Sequence, residues 1–460
     1  MILRDALVVT SLSKRPVGWL DARLASIAIV GQTIRSIGPY EEVKKVCPRP
    51  AEEIDCRDGR HCRFLAMPGF VDGHNHSRQT ALRAHWADGW GLSESRPKNR
   101  QEMVDLFRWF LLDAVKAGVT FLGDWPEHPN LWDPKPLDQA LLKMGLRGCI
   151  RALLPHDRGE PLPHPDEAAE HLRRTFGRLS DRIQLAVWIP EEDKPLFGRR
   201  ALRFFGKLQR RMGEYPLVFQ MHLAESKARR SACRKALDCL FRGGVAESSG
   251  GARTVFIHAV WIGKRGVRLL AERSDRVGVI TCPKFSDGRV APLGELLRKG
   301  VPVGLGSDVA SPDPFALIRS VVSIHRSRNR SKQLSVGEAF SMATLGGATV
   351  FGLEDRIGSL EEGKQADIVL VKNPAAMDLD MFQEASGDNA SHARRVEAIV
   401  RLFTRNALRR EHVDTVIVGG KVILRDGSLP SRRVEDEIER AGKAVALSIA
   451  KRTSTAAESV

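Results

Sequence analysis

The sequence has no apolar run that approaches the roughly 18 residues that a membrane-spanning helix needs. The start of the chain also lacks the basic-then-apolar pattern of a secretory signal. These two absences argue against a membrane protein and against a secreted one. We therefore expect a protein that acts in the cytoplasm and has no membrane partner.

Cysteine is sparse, and its distribution excludes a dense disulfide framework. The seven cysteines are scattered, and no two of them form a Cys-x-x-Cys pair. An odd number of isolated thiols is typical of a reducing compartment. Internal repeats and low-complexity blocks are also absent. We therefore expect a globular protein whose cysteines are reduced.

Acidic residues are in deficit, because 56 Asp and Glu face 72 Lys and Arg and give a formal charge of +16. Such an excess is compatible with nucleic acid, with an acidic substrate or with a solvated basic surface. The basic residues are spread over predicted amphipathic helices, which favours solvated outer helices. The basic segment 325–332 could help to hold an anionic substrate. We expect no nucleic-acid partner, and a non-catalytic, nucleic-acid-associated protein is a remote alternative.

Length and pattern together predict a barrel-sized domain and a smaller one. Short strands are predicted near the start, whereas from Pro68 apolar runs alternate with longer amphipathic stretches, which is typical of βα units. We divide the chain into residues 1–66, β-rich; 67–354, a barrel; 355–430, β-rich; and 431–460, a helix and tail.

Eight apolar runs are the predicted barrel strands. They cover residues 70–76, 119–124, 150–154, 183–189, 217–222, 254–258, 277–281 and 301–308. Predicted helices between them cover residues 101–117, 197–213, 227–242, 263–272, 291–299 and 314–326. Eight strands that alternate with helices predict an α/β fold, the (β/α)8 TIM barrel.

Strand-like runs follow the barrel as well. One ends at Val371, and others cover residues 396–401, 413–418 and 421–424, before an amphipathic helix over 434–452. The termini of a barrel emerge close together, so the β-rich ends of the chain are expected to join into one small sheet domain.

The segment PGFVDGHNH (68–76) ends in two histidines. Residues two apart in an extended strand point to the same side, so His74 and His76 aim both imidazoles at one point. This is a chelating geometry for a metal ion. For these two residues alone, a polar pair in the core is an equal alternative.

Three other predicted strands also end in ligand-type residues: His222, with Glu225 three residues later, His258, and Asp308. The carboxyl ends of barrel strands open on one face, where active sites lie. Four strands therefore bring six such side chains to one mouth, a set suited to a first-row metal and to acid–base chemistry. A single His could instead be a hydrogen-bonded cap, and Asp308 could cap a helix. The full set favours a metal site.

These motifs resemble those of the amidohydrolase superfamily, in its chlorohydrolase and deaminase branch. The resemblance rests on PGFVDGHNH (68–76), HLAE (222–225), HAVW (258–261), PVGLGSD (302–308) and TLGGATVFGLEDRIGSLEEGKQADIVLV (344–371), the exit from the barrel. It covers nearly the whole chain. It implies a (β/α)8 barrel flanked by a small β-sandwich that both chain ends form.

The resemblance also implies roles for individual residues. One divalent metal ion, Zn²⁺ in the simplest case and Fe²⁺ as the alternative, would be held by His74, His76, His222 and Asp308. Glu225 and His258 match the catalytic pair of the deaminases. The predicted fourth strand carries no Lys for carboxylation, so a binuclear centre is not expected.

Such a site supports hydrolysis at an electron-poor sp² carbon. A metal ion with three His ligands and a carboxylate lowers the pKa of its bound water towards neutrality, and Asp308 can accept the proton. Glu225 would relay a proton to a ring nitrogen or leaving group, and His258 would polarise the developing tetrahedral centre. The Pro-Cys-x-x-Cys motif of cytidine-type zinc deaminases is absent.

The sequence therefore predicts a hydrolase that acts on carbon–nitrogen bonds other than peptide bonds. Its substrate would be a small nitrogen heterocycle or cyclic amidine, and deamination is the simplest reaction. A dechlorinating or ring-opening amidohydrolase with the same site is the nearest alternative. Barrels of this kind often dimerise, so we include a homodimer among the expectations.

Two segments depart from the family pattern. Members commonly have His-Cys-Pro-x-Ser-Asn at the end of strand seven, where this chain has TCPKFS (281–286). Thr281 replaces the His and cannot act as an acid, so we expect Thr281 and Lys284 to contact a different substrate. The end of strand four is acidic where relatives often have His or aromatic residues. Gln79 and Trp125 follow strands one and two and could line the pocket, although Trp125 could equally pack in the core.

Overall fold

The structure, a computed structural model, describes the following parts of the chain: residues 1–59, 61–77, 97–124, 134–158, 160–190, 198–213, 215, 217–246, 252–283, 289–328, 334–374 and 389–457. Within these residues the strands form two eight-stranded sheets and one two-stranded sheet. One eight-stranded sheet is a parallel barrel, and the other is a smaller sheet that both ends of the chain build.

The chain begins with strands of the smaller sheet. They are β1 (Ile2–Ser11), β2 (Leu20–Val30), β3 (Thr33–Gly38), β4 (Glu53–Asp55), β5 (Arg57–Asp58), β6 (His61–Cys62) and β7 (Phe64–Pro68), with helix α1 (Tyr40–Val46) after β3. Strands β1 and β2 are antiparallel, and their apolar residues are mostly buried. Strands β5 and β6 form the separate two-stranded sheet.

The barrel follows directly. Its strands are β8 (Phe70–Asn75), β9 (Val119–Asp124), β10 (Arg147–Arg151), β11 (Ile183–Trp188), β12 (Leu217–Leu223), β13 (Arg253–His258), β14 (Val277–Thr281) and β15 (Val303–Leu305). Each pairs in parallel with the next. A bridge between Asn75 and Asp308 brings the last strand back to the first. All eight predicted strands overlap observed ones, and the predicted barrel is confirmed.

Helices of the barrel domain lie between and after these strands. They are α2 (Arg100–Lys116), α3 (Pro134–Met144), α4 (Pro165–Phe176), α5 (Arg199–Arg211), α6 (Arg230–Arg242), α7 (Gly263–Ala271), α8 (Leu293–Arg298), α9 (Pro314–Arg328), α10 (Val336–Met342) and α11 (Leu345–Val350). Their buried faces form one large apolar cluster with the outer sides of the strands. The span 155–182, left as a loop and helix in the sequence, contains α4.

Alternation along the strands separates two apolar layers. On β14, Val277 and Val279 pack outward in the cluster that contains the helices, whereas Ile280 belongs to a second cluster in the barrel interior. The interior is tight near the first strand. A Cβ atom at Gly73 would lie 2.3 Å from Cδ1 of Ile280, so only glycine fits immediately before His74.

The two chain ends meet in the smaller sheet, as predicted. Its C-terminal strands are β16 (Ile368–Lys372), β17 (Val413–Val418) and β18 (Lys421–Leu424). The strand order is β18-β17-β16-β7-β1-β2-β3, with β4 beside β1, and β16 pairs antiparallel with β7. One face of this sheet encloses its own apolar cluster, and the other face packs on the barrel domain. The predicted small β domain is thus one continuously hydrogen-bonded sheet.

The predicted strand over residues 396–401 is wrong, because these residues lie in helix α12 (Asn389–Thr404). The short apolar run suited either structure, and the burial pattern decides between them. Ile399, Leu402 and Phe403 are buried at helical spacing. Phe403 stacks on Phe315 of α9, with ring centroids 6.1 Å apart.

The predicted C-terminal helix is present and longer than expected, as α13 (Arg432–Ala457). It packs along α2, the first barrel helix. Lys116 pairs with Glu435 at 2.5 Å and with Glu439 at 3.2 Å, and Leu106 contacts Ile449 in a small apolar cluster. No helix in the described part of the chain is long and apolar enough to cross a membrane.

Candidate metal centre

Four histidines lie at the carboxyl ends of three barrel strands. His74 and His76 stand at the end of β8, His222 is in the last turn of β12, and His258 ends β13. All four are buried, between 0% and 8% exposed. The parallel register brings these strand ends to one mouth, as the sequence predicted.

The ring nitrogens of three histidines converge. Nε2 of His222 lies 3.3 Å from Nε2 of His74, and ligand atoms of His74, His76 and His222 all lie within 4.8 Å of one another. The rings of His76 and His222 are nearly parallel, at 5°, whereas the His74 ring is close to perpendicular to both. Three nitrogens thus point at one small volume from different directions, which is how imidazoles surround a metal ion.

Asp308 lies next to this group. Its Oδ1 is 3.3 Å from Nε2 of His76. Its backbone is held on both sides, because its N–H donates to the His74 carbonyl at 2.8 Å and its carbonyl accepts the His76 N–H at 3.0 Å. The carboxylate is therefore fixed beside the histidines by the same bridge that closes the barrel.

The backbone around the mouth is strained. Ala224, His258, Ala259 and Asp308 all have φ between 49° and 72°, and they are half of the eight non-glycine residues with positive φ in the described part of the chain. Each such conformation costs on the order of 1–3 kcal/mol and persists only where the surroundings enforce it. Concentration of that cost at four strand-end positions is typical of a functional site.

Burial sets the charge states in the cluster. Burial and the neighbouring His76 and His222 hold the pKa of His74 well below its ordinary value, so the ring is neutral at pH 7. Burial alone would raise the pKa of Asp308, but the hydrogen bond from His76 and the nearby histidines hold it well below its usual range. Neutral imidazole and ionised carboxylate are the forms that bind metal ions.

A buried acid supports the cluster from below. Asp72 accepts hydrogen bonds from the Ser307 N–H at 2.9 Å and from the Ser307 hydroxyl at 2.5 Å. These bonds tie strand one to the segment that carries Asp308. Burial raises the pKa of Asp72 to about 7. Sequence analysis missed this role, although an Asp within an apolar strand was a visible signal.

The donor set fits a divalent cation such as zinc. Three neutral imidazoles and one carboxylate match the ligands and the number of donors that zinc prefers. The described residues offer these groups at one mouth, buried and in the required protonation states. His74, His76, His222 and Asp308 could therefore hold a metal ion without rearrangement of the barrel strands.

Glu225 follows His222 by three residues and stands at the rim. The strand ends that carry Glu225 and His258 are joined, since Ala259 N–H donates to the Leu223 carbonyl and Trp261 N–H to the Ala224 carbonyl, both at 2.9 Å. The Glu225 side chain is 29% exposed, and its Oε2 lies 3.8 Å from Nη1 of Arg229. This carboxyl group can therefore exchange protons with the solvent at the mouth.

Strand seven turns a different residue to the site than the sequence suggested. The Thr281 side chain is fully buried, and its hydroxyl accepts the Ala291 N–H at 3.4 Å, on the outer side of the strand. Alternation then points Cys282 inward, where its Sγ, a His258 nitrogen and an Asp308 oxygen lie within 4.8 Å of one another. We therefore correct the expected substrate contact at Thr281. Cys282, which sequence analysis passed over, is the strand-seven residue at the site.

Three of the expected substrate contacts cannot be placed. Gln79, Trp125 and Lys284 lie outside the described residues. A different wall of the mouth is described, at the ends of strands three and four. There the Arg151 guanidinium lies 4.9 Å over the Trp188 ring, and His156 stacks on the same ring. An Arg at the end of an apolar strand was the signal for this wall.

Comparisons with known proteins agree with this geometry. A sequence model of the amidohydrolase family matches residues 65–423, more than three quarters of the chain. A 5-methylthioadenosine/S-adenosylhomocysteine deaminase of Pelotomaculum thermopropionicum is 28% identical over 429 residues, which are 87% of this chain and 89% of the relative. The guanine deaminase of Mus musculus is 25% identical over 419 residues, which are 83% of this chain and 87% of the relative.

Solved structures share the fold. The structure of an adenosine deaminase from Xanthomonas campestris with bound zinc superposes with a TM-score of 0.71 at 19% identity. The match covers 96% of this chain and 99% of that one. The barrel and the small sheet formed by both chain ends are therefore a known combination.

Proposed function

This chain belongs to the amidohydrolase family, and on that basis we propose that it is a metal-dependent deaminase of an aminopurine base or nucleoside. The observation that carries the proposal is the convergence of His74, His76 and His222 within 4.8 Å, with Asp308 beside His76. The reaction replaces a ring amino group by an oxygen from water and releases ammonia. It is hydrolysis of a carbon–nitrogen bond that is not a peptide bond.

We propose that one divalent cation, Zn²⁺ in the simplest case, is held by His74, His76, His222 and Asp308. A cation bound there supplies Lewis acidity, which makes water a competent nucleophile near neutral pH. The buried, neutral histidines contribute ligands without competing protons. The strained backbone at Asp308 holds the carboxylate in place before substrate arrives.

Asp308 is the proposed base. Its pKa is held well below the usual range, so the carboxylate is ionised and ready to accept a proton from the attacking water. Its side chain is 14% exposed, which leaves room for water on the open side of the mouth. The backbone hydrogen bonds to His74 and His76 keep the carboxylate from swinging away.

Glu225 and His258 are the proposed partners of Asp308 in proton transfer. Glu225, at the exposed rim, would deliver a proton to the ring nitrogen and then to the departing amine. His258 is buried, and its ring stacks on His222 with centroids 5.2 Å apart, which fixes its orientation. A donor fixed in this way stabilises the charge that develops on the attacked carbon's substituent.

The aminopurine class is supported by the relatives. The bacterial and the murine relatives are named for substrates that share a purine ring with an exocyclic amino group. The chemistry proposed for this site requires such a group on an electron-poor ring carbon. The stacked Trp188, His156 and Arg151 offer a flat wall near the mouth that suits a planar ring.

The direct test is product analysis on the zinc-loaded protein. The substrates are adenosine, 5′-methylthioadenosine, S-adenosylhomocysteine and guanine, with 6-chloropurine riboside and a ring-opening substrate for comparison. The proposal predicts ammonia from at least one aminopurine. Chloride or a ring-opened acid, with no ammonia from any aminopurine, would instead establish a dechlorinating or ring-opening enzyme.

A variant pair separates the site from general effects of mutation. His222→Ala is expected to abolish ammonia release, because it removes one of three converging nitrogens. His61→Ala is the matched control, since His61 is an exposed histidine of the small sheet. Equal activity of both variants would contradict the proposed site.

A further inference from the structure

Cys282 brings a sulfur ligand to the barrel mouth. Its Sγ lies within 4.8 Å of ligand atoms of both His258 and Asp308, which also lie within that distance of each other. The three residues stand at the ends of three different barrel strands. We infer that His258, Cys282 and Asp308 form a second cation site, which takes a soft divalent ion such as Zn²⁺ or Cd²⁺ at lower affinity than the first site.

The geometry needs little adjustment to hold an ion. Ligand atoms around a tetrahedral zinc ion lie about 3.3–3.8 Å apart, given bonds of about 2.0–2.3 Å. The three donor atoms must therefore approach one another by on the order of 1 Å at most. Rotation about the Cα–Cβ bonds of Cys282 and Asp308 supplies such a movement without any shift of the strands.

The second site is separate from the first but adjoins it. The first set consists of His74, His76 and His222, and neither His258 nor Cys282 belongs to it. Asp308 has two carboxylate oxygens, and Oδ1 is the one near His76. A carboxylate that bridges two ions holds them about 3.5–4 Å apart. The distance of 5.7 Å between the His74 and His258 ring centroids leaves the two sites side by side.

Sulfur determines which ions this site selects. A thiolate prefers zinc, cadmium and similar soft ions over magnesium or manganese, which prefer oxygen ligands. On binding, the Cys282 thiol gives up its proton to solvent, and the thiolate neutralises part of the charge of the ion. Cys282 and His258 are both 2% exposed, so the ion would be largely dehydrated.

The second ion would inhibit the enzyme. This consequence rests on the proposed function, because His258 is there the group that stabilises charge on the substrate. An ion bound to His258 and to the second oxygen of Asp308 removes both groups from catalysis. We expect excess Zn²⁺ to lower turnover by about 100-fold or more, the usual effect of losing an acid–base group.

Cobalt titration of the metal-free protein tests the inference directly. Cobalt(II) bound to a thiolate gives a ligand-to-metal charge-transfer band in the near ultraviolet, whereas cobalt bound only to His and carboxylate does not. The wild type should bind two ions per chain, and the band should grow only with the second. Cys282→Ser should bind one ion without the band, and its turnover should resist excess Zn²⁺.

Cys149→Ser is the matched control. Cys149 is fully buried in the same interior cluster as Cys282, but it belongs to neither ligand group found in the described part of the chain. This variant should keep both ions, the band and the inhibition. Cys282→Ala provides a second variant in case the serine hydroxyl is not tolerated.

The wild-type titration can overturn the inference without any variant. One bound ion with no charge-transfer band would refute the second site and leave the proposed deaminase intact. A band that grows with the first ion would place Cys282 in the first site and also refute the inference. No bound ion at all would instead refute the metal centre and the proposed function with it.

Discussion

Nε2 of His222 lies 3.3 Å from Nε2 of His74, although 148 positions separate these residues in the chain. Two ring nitrogens at this distance repel unless a proton or a cation lies between or beside them. Burial lowers the pKa of His74 and so disfavours a shared proton. The barrel therefore spends folding energy on an arrangement that a bound cation relieves.

Glu225→Gln tests the proposed proton relay. The change keeps size and hydrogen bonding but removes the titratable carboxyl, so kcat should fall by about 10²–10⁴-fold. Metal content should stay unchanged, since Glu225 lies outside the converging set. Steady-state kinetics and metal analysis on the same sample separate these effects. Glu170→Gln, at an exposed Glu on α4, is the control, and a loss confined to severalfold at Glu225 would exclude the relay.

Arg147→Met tests the link between the barrel and the small sheet. Arg147 Nε lies 2.8 Å from Oδ2 of Asp367, and both side chains are almost fully buried. Removal of the arginine leaves a buried carboxylate without its paired cation, which should lower the free energy of unfolding by about 3–5 kcal/mol. Urea denaturation measures the change.

The control for that link is a surface pair. Arg108 lies 3.4 Å from Glu437, whose side chain is 58% exposed, so Arg108→Met should change stability by less than about 1 kcal/mol. Similar losses at Arg147 and Arg108 would show that the buried pair contributes nothing special.

Gly442→Ala tests the packing of α13 on α2. A Cβ atom at Gly442 would lie 2.5 Å from Cβ of Trp109, so the variant should be less stable by about 1–3 kcal/mol. Gly294, within α8, has no atom closer than 3.6 Å to the same kind of Cβ. Gly294→Ala should therefore gain about 0.5–1 kcal/mol from helix propensity. Thermal unfolding distinguishes them, and stabilisation by both changes would refute the contact with Trp109.

Glu361→Gln tests a pH dependence. Burial alone would raise the pKa of Glu361, but hydrogen bonds from Ser359, Lys364 and Ser13 lower it to about 2 from 4.5. A depressed folded-state pKa stabilises the protein above the unfolded value, and the benefit is lost as pH falls from about 4.5 to 2. The gap in unfolding free energy between wild type and variant should therefore narrow over that range.

Measurement of that gap by urea denaturation at several pH values decides the point. Glu411→Gln removes an exposed carboxylate near Arg410 and is the control. A gap at Glu361 that stays constant, or widens as pH falls, would contradict the assigned hydrogen bonds.

Much of this architecture was predictable from the sequence for a physical reason. Barrel strands are short, apolar and separated by amphipathic helices, so each strand end can be located within a few residues. His74, His222, His258 and Asp308 therefore could be assigned to one mouth without coordinates of any kind. The pairing of chain ends in one sheet followed from the same pattern.

The errors had local causes. The run around Ile399 is too short for its period to distinguish strand from helix, and only its packing against Phe315 and neighbouring helices decides. At strand seven, alignment to a motif could not tell which side of the strand each residue faces. The structure turns Thr281 outward and Cys282 inward, so the residue that matters was the neighbour of the one selected.

Metal content tests the central claim most directly. Wild type and His222→Ala are loaded with Zn²⁺, dialysed to remove weakly held ions, and analysed by plasma mass spectrometry, with His61→Ala as control. The account predicts one tightly held ion per chain in the wild type and the control, and none in His222→Ala. A wild type that retains no metal after loading, or a His222→Ala variant that retains as much as the wild type, would contradict it.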